Sequence, residues 1–149
     1  MSDPAEGRTG RPEIDDLLDL ADAEERALTE TSAVNQAENV VAASRQDDLA
    51  AEHKALHERC RQTEEELQAA KDSGDADRIA AARAAREEAN AEFARRSPVL
   101  IAEAQQLLGA RLERSGEFLD QMGTVWRSQA RAHDALAGRR APEAEDPRR

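Results

Sequence analysis

The stretch EHKALHERC, residues 52–60, holds the side chains of this sequence best suited to chemistry. His53, His57 and Cys60 stand at i, i+4 and i+7, so on a helix they share one face. Two imidazoles one turn apart, followed by a thiol, have the spacing of helical zinc ligands. If the chain folds back on itself as argued below, Glu87 or Glu88 comes within reach as a further ligand. The pattern stops short of catalysis. A zinc protease of the His-Glu-x-x-His type needs glutamate after its first histidine, and Lys54 stands there. In a heptad through Leu49 and Leu56 the same residues read as seam packing, with imidazoles satisfied by carboxylates such as Glu52 or Glu88. The expectation is therefore no metal, with His53, His57 and Cys60 as the candidates to test.

Other chemistry is harder to find. No Glu-x-x-His pair occurs, which removes the signature of a ferritin-like di-iron site. There is no phosphate-binding loop, dinucleotide fingerprint or nucleophile elbow. Paired acids such as Asp15–Asp16 and Glu64–Glu66 read as solvated helix faces. With no tyrosine and only three aromatic residues, an apolar pocket with convergent polar groups is hard to build. No catalytic residue and no cofactor are expected, and the chain reads as non-enzymatic.

The elements that must position these residues follow from composition. Leu, Ile, Val and Phe number only 23 of 149 residues, and the net charge is −11, a combination that by itself points to disorder. Against that, Ala, Glu, Lys, Leu and Arg make up 84 residues, the composition of long helices. The helical reading wins because the few large apolar residues recur at regular spacing. Residues 1–75 carry 20 acids against 8 bases, which repels nucleic acid, and residues 76–149 are nearly neutral with no dense basic stripe. A single cysteine, Cys60, allows no internal disulfide. No signal peptide and no apolar run of about 18 residues is present, so a cytoplasmic protein without a membrane span is expected.

Neither glycine nor proline occurs from Glu13 to Ser73. Residues 1–12 and 139–149 read as disordered polar tails around a helical domain, 13–138, with helices over about 13–72, 75–96 and 98–137. Gly74 can end the first helix, and Asp75 or Asp77 can cap the next. Ser97 and Pro98 read as an N-cap and a first helical residue, so the second limb is expected to break or kink there. The two limbs are of nearly equal length. A chain that folds back at Ser73–Gly74 pairs residues whose numbers total about 147 or 148. Leu56 then lies beside Phe93, and Leu49 faces Val99. Val40 and Val41 meet Leu107 and Leu108, Leu28 meets Leu119, and Leu20 or Ala21 meets Trp126. The expected fold class is all-α, an elongated antiparallel helical hairpin or coiled coil.

One hairpin does not use all the apolar surface this pattern provides. With Ile101, Leu108, Ser115, Met122, Gln129 and Leu136 on one heptad line, Phe118 and Val125 fall on the next, and Leu112, Leu119 and Trp126 on the third. Gly109, Gly116 and Gly123 continue that arc, on a line whose members are all glycine or alanine. Glycine inside a helix costs about 1 kcal/mol against alanine, so three at one interval ask for a reason. Small side chains let another backbone approach closely. Gly109, Leu112, Gly116, Leu119, Gly123 and Trp126 are the expected interface of a homo-oligomer, a dimer of hairpins forming a bundle, with Trp126 also a candidate anchor for another protein.

Arginine and alanine richness in a helical hairpin resembles the small helical substrates of actinobacterial type VII secretion. Those carry Trp-x-Gly in the turn and a tyrosine in the export signal, whereas here the turn is DSGDAD and tyrosine is absent. The hairpin also resembles membrane-remodelling proteins of the phage-shock or ESCRT-III type, without their basic amphipathic N-terminal helix. No family is assigned. The leading expectation is a self-associating scaffold or adaptor. The alternatives are an exported or effector-type protein without a cleavable signal peptide, and a metal-binding bundle.

Overall fold

The computed structural model describes residues 9–138. Two α-helices, α1 (Pro12–Ser73) and α2 (Ala76–Leu136), pack antiparallel as a helical hairpin, and no strand occurs among the described residues. The expected tails at 1–8 and 139–149 lie outside the described residues. The helical domain begins one residue earlier than the sequence suggested, because Pro12 takes the first helical position, where a missing N–H costs nothing.

The turn is built as its residues dictate. Gly74 adopts φ +71°, the left-handed conformation that closes a helix, and its N–H donates to the Lys71 carbonyl at 3.2 Å. Ser73 donates its hydroxyl to the Ala70 carbonyl at 2.6 Å. Asp75 then caps α2, its Oδ1 accepting from the N–H groups of Asp77 at 3.0 Å and Arg78 at 3.3 Å.

α2 does not break at Ser97–Pro98; it runs through Pro98 as one helix. The expectation of separate helices over 75–96 and 98–137 is corrected by packing. Ser97 and Leu100, on either side of the proline, are both buried, while the Pro98 ring is exposed. Tertiary contact on two consecutive turns holds the helical path that propensity alone would end. Ser97 is accordingly no N-cap. α1 is likewise one continuous helix from Pro12 to Ser73.

Both helices keep a seven-residue repeat on the seam. On α1, Ile14, Ala21, Leu28, Asn35, Ala42, Leu49, Leu56, Thr63 and Ala70 are each buried or half-buried. On α2 the corresponding line is Ile79, Arg86, Phe93, Leu100, Leu107, Arg114, Gln121, Ser128 and Ala135. That line lies one residue before the expected one. Ile101 and Leu108 are about half exposed, and Leu100 takes the place beside Leu49 that Val99 was expected to fill. Consecutive large residues, Val99-Leu100-Ile101 and Leu107-Leu108, make the phase of this arc ambiguous by one position, and packing chooses the middle and the first.

The hairpin contains two compact units. In the unit Glu38–Leu112, Leu49, Leu56 and Leu100 form a core with Phe93, Ala104 and Leu107 against it, and Leu67, Ala70, Ala82 and Ile79 form a second cluster near the turn. The other unit joins the chain up to Ala37 to the chain from Glu113 onward, and its buried apolar residues are Ile14, Ala21, Val125 and Ala132. Three expected pairings fail. Val40 and Val41 are each 70 % exposed rather than packed on Leu107 and Leu108. Leu119 and Trp126 are exposed rather than set against Leu28 and Leu20, because the seam turns Val125 inward and its neighbour Trp126 outward.

Candidate functional site

Where the heptads bring Leu49, Leu56 and Leu100 together, polar side chains line both sides of the seam. On one side Arg45 donates to Glu103, Nε to Oε1 at 2.6 Å and Nη2 to Oε2 at 2.9 Å. One heptad on, Arg96 donates from Nε and Nη2 to Glu52 Oε1 at 2.9 and 2.6 Å. Arg59 continues the series with Glu92 at 2.9 Å and Glu88 at 4.0 Å. The sign alternates between helices from pair to pair, and two of the three arginines stand on α1. The Arg45 hydrogen bond holds the Glu103 carboxyl below its ordinary value, and partial desolvation opposes it. The same bond raises Arg45. Elsewhere on α1, Arg61 binds Glu58 and Glu65 one turn away on either side, and its hydrogen bond lowers Glu58.

The other side of the seam carries the histidines. His53 Nε2 lies 3.1 Å from Ser97 Oγ, at hydrogen-bond distance. The His53 and His57 rings meet edge to face with centroids 4.7 Å apart, and His57 makes a similar contact with Phe93 at 4.6 Å. Cys60 donates its thiol to the Ala89 carbonyl at 3.6 Å, and Glu88 reaches toward Arg59. So the three metal candidates share a face as their spacing requires, but their donor atoms do not converge. Among the described residues no group of three His, Cys, Asp or Glu side chains is placed to hold a metal ion. The helical face is used for aromatic packing and for one hydroxyl contact.

The expected interface residues lie on α2. In the unit Glu38–Leu112, Leu112 is 64 % exposed and Gly109 is open, with no atom within 4 Å of where a Cβ would stand. In the other unit Leu119 and Trp126 are about three-fifths exposed and Gly116 is equally open. Only Gly123 has a neighbour there, the flexible Arg127 guanidinium at 3.4 Å. Among the described residues nothing explains these glycines by close approach. Five of the six positions are exposed, and Gly123 is half-buried beside Arg127.

Sequence reasoning missed the interhelical ion pairs, though the signal was present. Arg45 with Glu103, and Glu52 with Arg96, are opposite charges at partner positions of the fold-back register set by Gly74. No helix among the described residues is long and apolar enough to cross a membrane. Comparison with known proteins yields no match, whether to a protein-family model, a curated protein or a solved structure.

Proposed function

We propose that this chain is a non-enzymatic helical interaction protein, a scaffold or adaptor, that associates with further copies of itself. One observation carries the reading. Among the described residues six large apolar side chains are buried in the hairpin, Ile14, Leu49, Leu56, Leu67, Leu100 and Val125, eight more are half-buried, and eleven are exposed. The buried set is diluted further by alanines and by seam positions given to Asn35, Thr63, Gln121 and Ser128. Two helices form a single line of contact, and a stable helical domain normally closes a core between more elements than that. Exposed Leu, Ile, Val and Trp in this excess belong to an assembly.

The open glycines fit the same reading, since Gly109 and Gly116 give a neighbouring backbone room beside Leu112 and Leu119, and near Trp126 only the flexible Arg127 guanidinium stands against Gly123. Light scattering and thermal melting over a hundredfold range of concentration test it. Association makes the melting temperature rise with concentration and gives a mass above one chain. A monomer at all concentrations, with a melting temperature that does not move, would remove the proposal.

A further inference from the structure

We infer that the unit joining the chain up to Ala37 to the chain from Glu113 onward docks a basic amphipathic helix of another protein. This rests on the interaction-protein reading above, gives the partner a chemistry, and does not require self-association.

The surface is a groove with two unlike edges. Leu28 and Phe118, each half-buried, line it from α1 and α2. Its α1 edge runs through Thr29, Ser32 and Gln36. Followed toward the N-terminus at steps of three and four, the same line passes through Glu25 and Asp22, both exposed. These two share a surface depression with Arg26, Thr29 and Glu30. On α2, Met122 stands four residues after Phe118 and Trp126 four after that, with Leu119 beside them. Leu119 and Trp126 are about three-fifths exposed. In the fold-back register Asp22 stands level with Trp126. One edge is acidic and polar, and the other is apolar.

Charge selects the occupant. Residues 12–37 hold eight acids against one base, Arg26. Among the described residues no ion pair engages Asp22 or Glu25, so the charge of this edge is left uncompensated by the hairpin. A second copy seated in the groove would bring a like-charged line against it, which the net charge of −11 opposes. Nucleic acid and anionic lipid are repelled for the same reason. A helix with a lysine or arginine stripe beside a leucine stripe satisfies both edges at once. Its cations lie along Asp22 and Glu25, and its apolar side chains cover Leu119 and Trp126, with tryptophan among the residue types most enriched at such anchors.

Trp126 is the only tryptophan, so its fluorescence reports on the surface directly. The full chain is titrated with a synthetic amphipathic Leu/Lys helix of about five turns, and with the Leu/Glu helix of the same pattern. The Leu/Lys helix should shift Trp126 emission to the blue and saturate, and raising sodium chloride from about 50 to 300 mM should weaken it by about tenfold or more. The Leu/Glu helix should not bind. Asp22→Lys with Glu25→Lys should weaken the Leu/Lys helix by about tenfold or more, whereas Asp47→Lys with Glu66→Lys, the same charge change on exposed acids of the other unit, should cost less than about threefold. Equal losses in the two double variants, or binding that leaves Trp126 emission unmoved, would end the location. Failure of the Leu/Lys helix to bind, or equal binding of the Leu/Glu helix, would end the inference itself. Self-association is scored separately by light scattering without peptide. An oligomer that binds no Leu/Lys helix overturns this inference alone, and a monomer that binds it as described overturns the self-association reading alone.

Discussion

Arg45 and Glu103 lie 58 residues apart in sequence and share two parallel hydrogen bonds across the hairpin. The fork geometry fixes the register of α1 on α2 as well as linking them, because a one-residue slip would part both bonds at once.

This pair gives the acid response a direction. Glu103 titrates lower in the folded chain than in the unfolded one, chiefly through the Arg45 hydrogen bond. The unfolded state therefore takes up its proton first as pH falls, and the contribution is present above the ordinary carboxylate value of 4.5 and lost below it. Thermal melts followed by circular dichroism between neutral pH and pH 3 should show the melting temperature falling through that window. Glu103→Gln should lower the melting temperature at neutral pH and narrow its gap to wild type in acid. A gap that stays constant down to pH 3 would assign the effect to shape alone.

Core and surface leucines should differ sharply. Leu67 is 1 % exposed and packs with Ala70, Ala82 and Ile79 near the turn. Leu67→Ala should cost about 2–5 kcal/mol, the range for truncating a buried leucine. Leu112 is 64 % exposed, and Leu112→Ala in the monomer should stay within about 0.5 kcal/mol of wild type. Urea unfolding at a concentration where the chain is monomeric measures both.

How far these features could be read beforehand depends on the residue. The turn was legible because Gly74 and Asp75 carry their conformations in their chemistry, and the turn then set the register that puts Leu56 beside Phe93 and Glu52 on Arg96. The phase of α2 was not legible. An apolar arc this wide satisfies two heptad lines equally, and only contact with Leu49 distinguishes Leu100 from Ile101. Pro98 misled for a related reason: its local preference was read correctly, and the buried Ser97 and Leu100 outweighed it. His53, His57 and Cys60 were placed on one face correctly, but a shared face says nothing about where donor atoms point.

That placement yields a prediction for metal. The donor atoms of His53 and Cys60 already lie against Ser97 and the Ala89 carbonyl, so zinc would have to break both contacts to gather them. Titration of metal-free protein with zinc to about tenfold excess should leave the melting temperature unchanged, as expected of a site that does not bind the folded state. A saturable rise that disappears in His53→Ala would restore the metal reading.

Glycine should reveal whether the α2 edge is free in the isolated hairpin. A methyl group at Gly109 or Gly116 meets nothing within 4 Å, and neither residue needs a positive φ. Gly116→Ala should therefore stabilise the monomer by up to about 1 kcal/mol through helix propensity alone. Gly116→Leu should keep helicity by circular dichroism yet weaken association by light scattering. Loss of helicity in either variant would mean that the edge is already occupied within the chain.

Pro98 offers the clearest separation of local from tertiary effects. It sits inside α2, where its ring removes one backbone hydrogen bond and crowds the carbonyl of Ala94, and both residues face solvent. In an isolated helix that position is worth about 3 kcal/mol in favour of alanine. The buried side chains of Ser97 and Leu100 keep α2 continuous here, so packing offsets that cost in the folded hairpin. Pro98→Ala should raise unfolding stability by about 1–3 kcal/mol in urea, with Arg95→Ala, a neighbouring exposed change, within about 0.5 kcal/mol of wild type. Leu100→Ala combined with native Pro98 should do more than truncate the core. With that anchor gone, hydrogen exchange at the amides on either side of Pro98 should quicken more than at those around Leu67, as local opening follows the point where packing alone holds the helix.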